Sequence, residues 1–333
     1  MMLTPLILIA ALVLSILISV HFAEIVALRV GQPYGSLLLA LAVTIIEVAL
    51  ISSILLSRSP GSDAIVRDSI FATIMIVCNG LVGICLLIGA LKYNETIFKV
   101  DGTNITLGML ITSSVLVFVL PMYTTSIPGP HYNLAQLRGA AVACFALYAT
   151  YVYAQTIKHR DLFLPPRIFG TTLQRSIHKT PSLKAAVFSS IALVFSLTIV
   201  VLLSKKLAPY IEDFVDVIGA PKEFVGVIIA GLVLLPESIS AIRQAASNKM
   251  QNSFNLALGS GLASVGLTIP VAAVISILTG ITLTLGLDAK SQVFLLLTFI
   301  VSIMTISTGR ATLSQGMMHI VIFLAYIRLT ITP

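Results

Sequence analysis

Charge is what this chain has least of: Asp, Glu, Lys and Arg make up 10% of its 333 residues, where a soluble domain carries about a quarter. That scarcity excludes a soluble globule with a charged surface. Cysteine is also sparse. Cys78, Cys85 and Cys144 all fall inside apolar stretches, so neither a disulfide framework nor a zinc site is indicated. No H-E-x-x-H trio occurs, and no pair of aspartates sits at the centres of apolar runs. An intramembrane enzyme is therefore not expected, and no cofactor is called for. The net charge of +7 comes without a basic run interleaved with aromatics, so nucleic acid is excluded as a partner. The first 20 residues lack a basic n-region and a small-residue cleavage site, which makes them a first span rather than a signal peptide.

What is abundant is apolar sequence, at 57% of the chain. Stretches of about 20 apolar residues, enough to cross a bilayer, recur from end to end. They predict an all-α polytopic membrane protein with ten spans, near 1–20, 36–56, 69–91, 105–123, 137–156, 185–203, 224–242, 253–278, 293–307 and 312–331. Polar connections are expected at 21–35 and at 204–223, the second with Glu212, Asp213 and Asp216 on an amphipathic turn of helix. The longest polar stretch carries six Lys and Arg between Lys158 and Lys184. It divides the chain into a first five-helix repeat (1–157), a basic linker (158–184) and a second five-helix repeat (185–333). Alternate loops collect twelve and eight basic residues, which puts the linker in the cytoplasm and both termini outside. An odd number of spans before the linker gives the two halves opposite orientation.

Against this background two acids stand out. Glu47 is the sole charge between Arg29 and Arg58, and Glu237 the sole charge between Glu223 and Arg243. A carboxylate in hydrocarbon costs roughly 2.5–3.5 kcal/mol on insertion scales and is a functional hypothesis by default. Aligning the two brings Ala40 onto Ala230 and Val43 onto Val233, with Gly31-Gln32-Pro33 answering Gly219-Ala220-Pro221 upstream. Each then leads through a short basic loop into a span of small polar residues. Inverted repeats meeting at the midplane are a recurring transporter plan.

The residue types indicate the chemistry. Paired carboxylates offer hard oxygen ligands that suit Ca²⁺, Na⁺, K⁺ or protons, with cavity size deciding among the cations. Glu47 and Glu237 are thus the candidate cation and proton ligands. Asn79, Ser260 and Ser264 would add neutral oxygens, and Thr44 sits one turn before Glu47 on the same face. Pro236, directly before Glu237, removes a backbone donor and predicts a bend. Protons compete at such a site, because burial and a second carboxylate both favour the neutral acid. The reading is a secondary antiporter, with inorganic cations and protons as cargo and the bilayer as surroundings. The alternative is a passive cation channel, which calls for rings of carboxylates or filter carbonyls. Oligomeric state is not encoded in any motif.

At this point a resemblance enters. The stretch His21–Gly35, Ala42–Leu50 with Glu47, and Arg67–Gly80 with Asn79 resemble the first repeat of bacterial ChaA-type calcium/sodium–proton antiporters. Leu234-Leu235-Pro236-Glu237 and Asn255–Pro270 are similar to the second repeat. The resemblance implies the calcium/cation antiporter superfamily and a core of two inverted five-helix halves. It also implies that Glu47 and Glu237 are the central carboxylates, that spans two, three, seven and eight form the site, and that the membrane is the bacterial inner membrane. Two features depart from the pattern. The loop between the halves is basic rather than acidic, and Val43-Thr44-Ile45-Ile46 replaces the usual glycine-asparagine lead-in.

Overall fold

The computed structural model describes residues 3–31, 34–57, 61–165, 181–217 and 219–332. Within them ten long helices follow one another: α1 (Leu3–Val30), α2 (Tyr34–Ser57), α3 (Ile65–Tyr93), α4 (Val100–Tyr123), α5 (Leu134–Lys158), α6 (Leu183–Val217), α7 (Glu223–Ala246), α8 (Met250–Thr279), α9 (Ala289–Ser307) and α10 (Leu313–Ile331). Nine are long and apolar enough to span a membrane, and α2 supplies an apolar segment over Leu41–Ser57. Helices satisfy their own backbone polar groups, which lipid cannot do, so an apolar chain of this kind is forced into them. The chain is an all-α polytopic membrane protein built from two inverted five-helix halves.

Two predicted connections prove helical. The first span does not end at Val20, because α1 continues to Val30 with Ala23 and Val26 still buried on its inner face. It stops at Gly31, whose φ of +82° is open to glycine at no steric cost. The region 204–223 is likewise mostly helix. Leu207, Ile211 and Val215 recur at four-residue spacing and are buried, and they carry α6 through Pro209 to Val217. Gly219, with φ +65°, follows it. The first helix of each half therefore ends at a left-handed glycine, and these are the two glycines that the repeat aligns. Helices α1 and α6 pack against each other along their lengths. Most of the linker, residues 166–180, lies outside the described residues, as do Gln32, Pro33 and Arg58–Pro60.

The loops sort onto two sides. On one, Lys92 Nζ and Tyr93 Oη both donate to the Ala246 carbonyl at 2.7 and 2.8 Å, joining the α3–α4 and α7–α8 turns. The α3–α4 turn also pairs its strand β1 (Thr96–Ile97) antiparallel with β2 (Arg310–Ala311) between α9 and α10. On the other side, the Thr284 amide donates to the Asp63 carbonyl at 3.1 Å, and the Leu285 amide to the Pro130 carbonyl at 2.9 Å. These contacts join the α2–α3, α4–α5 and α8–α9 connections. The three connections joined on one side are odd-numbered and the three joined on the other even-numbered, as alternate crossing requires.

Candidate functional site

Helices α3 and α8 lose α-helical regularity at matching places. α3 opens into a π turn over Ile76–Leu81, and α8 does so over Ser264–Thr268. The two turns begin 188 residues apart, against 190 for the glutamates. Single π turns inside helices recur at functional sites because the extra residue re-aims the side chains around it. The sequence also predicts a bend at Pro236, and there α7 continues as helix from Glu223 to Ala246 through the buried proline. The missing Pro236 N–H still leaves the Leu232 carbonyl without its usual donor.

The two glutamates meet through α8. Glu47, on α2, is 4% exposed, and Glu237, on α7, is 1% exposed. The Ser264 hydroxyl donates to Glu47 Oε1, which also accepts from Thr73 Oγ1 on α3 at 3.4 Å. The Ser260 hydroxyl, one turn earlier on the same helix, donates to Glu237 Oε2. A carboxylate from each half is thereby tied to one polar edge of α8, through serines one helical turn apart. The other oxygen of Glu237, Oε1, is buried with no protein hydrogen-bond partner. Buried polar atoms are nearly always paired, so this carboxylate oxygen stands out among the described residues.

The remaining sequence candidates divide. Thr44 is buried one turn before Glu47. Asn79 is buried at the centre of the α3 π turn, but its hydrogen bonds lead away from the carboxylates. Its Nδ2 donates to Thr298 Oγ1 at 2.8 Å, and its Oδ1 lies 3.2 Å from His319 Nδ1. Cys78, Cys85 and Cys144 are buried free thiols. Thr73 was missed as a glutamate partner and Thr298 as an Asn79 partner. Thr298, Ser302 and Thr305 do lie at helical spacing on an otherwise apolar run, which is a readable polar stripe.

Glycines set how closely the wall packs. A Cβ on Gly226 would lie 2.6 Å from the Asp68 carbonyl carbon, so α7 crosses α3 at backbone contact. A Cβ on Gly259 would lie 2.8 Å from the Tyr151 hydroxyl, and one on Gly266 2.5 Å from Tyr148 Cβ. Two tyrosines of α5 therefore brace α8 on either side of its serines. Small residues let membrane helices approach in this way.

Such an arrangement can hold a hard cation or protons out of contact with lipid, and the chain that carries it is similar to known proteins. The sodium/calcium exchanger protein family model matches residues 2–157 and 188–332. The putative ionic transporter y4hA of Sinorhizobium fredii is 40% identical over 96% of this chain and 86% of its own length. The sodium-potassium/proton antiporter ChaA of Escherichia coli is 32% identical over 92% of this chain and 83% of its own. Among solved structures, the crystal structure of the H⁺/Ca²⁺ exchanger CAX superposes with a TM-score of 0.75 at 16% identity, covering 98% of this chain and 81% of that one. The chain belongs to the sodium/calcium exchanger protein family, a family of membrane transporters and not of enzymes.

Proposed function

We propose that this protein is a secondary cation:proton antiporter. It moves Ca²⁺, Na⁺ or K⁺ out in exchange for H⁺ by alternating access at the Glu47–Glu237 pair. The observation that carries this reading is the pair itself: carboxylates from opposite halves, both buried, linked through Ser260 and Ser264, with Glu237 Oε1 unpartnered. The names of a 32%-identical relative and of a structural neighbour, a sodium-potassium/proton antiporter and an H⁺/Ca²⁺ exchanger, support it.

The mechanism follows from competition for the same oxygens. With both carboxyls protonated the site is neutral and can be reoriented across the membrane. A divalent cation entering must displace two protons to keep the site neutral, and a monovalent cation one. Binding of either cargo thus expels the other, and no second proton route is needed. Thr73, Ser260 and Ser264 present hydroxyls that can donate to a carboxylate or turn their lone pairs to a cation. Asn79 and Thr44 flank this set, and Pro236 exposes one carbonyl beside Glu237. The cargo ion is substrate and no cofactor is required. The proposed setting is the bacterial inner membrane, with the basic linker of residues 158–184 cytoplasmic, the termini outside, and 1–157 and 185–333 as the two repeats.

Inverted membrane vesicles energised to an acid interior test this directly. Adding a transported cation should release the interior protons in wild type and leave them in place in Glu47→Gln and Glu237→Gln. Cation-dependent proton release that survives either substitution would overturn the reading. Flux only down a cation gradient, without protons, would indicate a channel.

A further inference from the structure

His319 lies outside the carboxylate site, yet it is fully buried and both ring nitrogens are engaged. Nδ1 lies 3.2 Å from Asn79 Oδ1, and Nε2 lies 3.0 Å from Thr305 Oγ1. With Asn79 Nδ2 donating to Thr298, Oδ1 must accept, so the neutral ring that satisfies both contacts carries its proton on Nδ1. Thr305 then donates to Nε2. Asn79, from the first half, is gripped by α9 through Thr298 and by α10 through His319, both from the second.

The surroundings make this grip specific. A Cβ on Gly80 would lie 3.3 Å from the Phe323 ring, one on Gly83 3.1 Å from His319 Cβ, and one on Gly316 2.8 Å from Leu87 Cγ. These glycines let α3 and α10 close until the imidazole reaches the carboxamide. The grip falls on the π turn at Ile76–Leu81, where α3 departs from α-helical geometry. Removing a π turn rotates the helix segments on its two sides by about 100° relative to each other, one residue's share of a helical turn. Thr73, three residues before the π turn, hydrogen-bonds Glu47.

We propose that His319 is a positioning residue for transport: by clamping the Asn79 carboxamide against α9 and α10 it fixes the π turn of α3, and with it the way Thr73 meets Glu47. The proposal rests on the cation:proton exchange reading. Its distinctive feature is that His319 acts on cation affinity through Asn79 and touches no cargo itself.

The test is a double-mutant cycle in reconstituted liposomes, with cation KM, Vmax and thermal unfolding in detergent measured together. His319→Leu and Asn79→Leu should each raise the cation KM by roughly three- to tenfold, the reach of about one net hydrogen bond, with Vmax held within about twofold. Combining them should add little further, because the second substitution removes a contact already lost. His319→Gln, which keeps a donor for Asn79, should restore most of the affinity. Unchanged KM with lowered Vmax and unfolding temperature would reduce His319 to helix packing and overturn the proposal, as would additive effects in the double variant or no rescue by glutamine. Should His319→Leu not accumulate, Thr298→Val removes one hydroxyl at constant volume. It is expected to raise KM two- to threefold, about half a kcal/mol, and an unchanged KM would overturn the clamp. A wild type that moves no protons on any cation would refute the transport reading instead.

Discussion

The two glutamates occupy equivalent positions in inverted halves, yet their surroundings differ. Glu47 has two hydroxyls on one oxygen, Thr73 from its own half and Ser264 from the other. Glu237 has the single hydroxyl of Ser260, and its second oxygen is buried without a protein partner. The π turns beside them differ in the same sense. That of α3 is held by the polar contacts of Asn79, whereas that of α8 is held by glycine-to-tyrosine packing. Glu47 is the carboxylate with more protein donors, and Glu237 the one with an oxygen that has no protein partner.

Removing either carboxylate is the harshest way to break this comparison. Glu47→Gln and Glu237→Gln should each cut cation-driven proton movement to about 1% of wild type or less, because a charge essential to both cargoes is lost. Shortening sharpens the distinction. Glu237→Asp should cost more than Glu47→Asp, since it withdraws the oxygen that has no partner while Glu47 keeps two donors to guide it. Equal losses in a vesicle assay would mean that the difference between the halves has no bearing on transport.

Packing comes next in size. A Cβ on Gly226 would meet main chain of α3, which cannot move aside like a flexible side chain. Gly226→Ala should therefore destabilise by about 1–3 kcal/mol, the range for an overpacked core. Gly231 has nothing within 4 Å of its Cβ position, so Gly231→Ala should be nearly neutral. Thermal unfolding in detergent reads the contrast.

Much of this was legible in advance. Ten apolar runs gave the helices, and the two isolated acids are the residues that α8 ties together. The end of α1 was misplaced because Glu24 and Arg29 look like loop while Ala23 and Val26, buried beneath them, decide the helix. Pro236 is the irregularity that sequence can show, because proline is the visible helix breaker. The π turns of α3 and α8 carry no proline, and the contacts that surround them come from side chains far away in sequence. Asn79 read as a ligand by type; only the fold shows that α9 and α10 hold it. Thr73 was invisible because a threonine in an apolar span most often bonds its own backbone.

Smaller effects follow from the serines. Ser260→Ala leaves the buried Glu237 with no hydroxyl donor, and Ser264→Ala leaves Glu47 with Thr73. An orphaned buried acceptor costs about 1–3 kcal/mol. Ser260→Ala should accordingly weaken cation affinity by roughly tenfold or more, and Ser264→Ala by about threefold. In both, the apparent cation KM should still rise as pH falls, since protons compete for the same oxygens. A KM that ignores pH in wild type would break the shared-site mechanism.

The smallest effect lies where the halves touch at the membrane surface. Arg310 and Glu95 approach to 3.5 Å between the β1 and β2 connections, with their side chains 64% and 55% exposed. In water the attraction is screened, and holding two long side chains costs entropy, so Glu95→Ala should change stability by less than about 0.5 kcal/mol. The strand pairing of Thr96 with Ala311, buried beneath the ion pair, should keep these connections joined without it. Thr96→Pro, which removes a ladder donor, should by contrast be measurable in thermal unfolding. If Glu95→Ala proved the more damaging of the two, charge rather than main-chain pairing would be what joins the halves at this end.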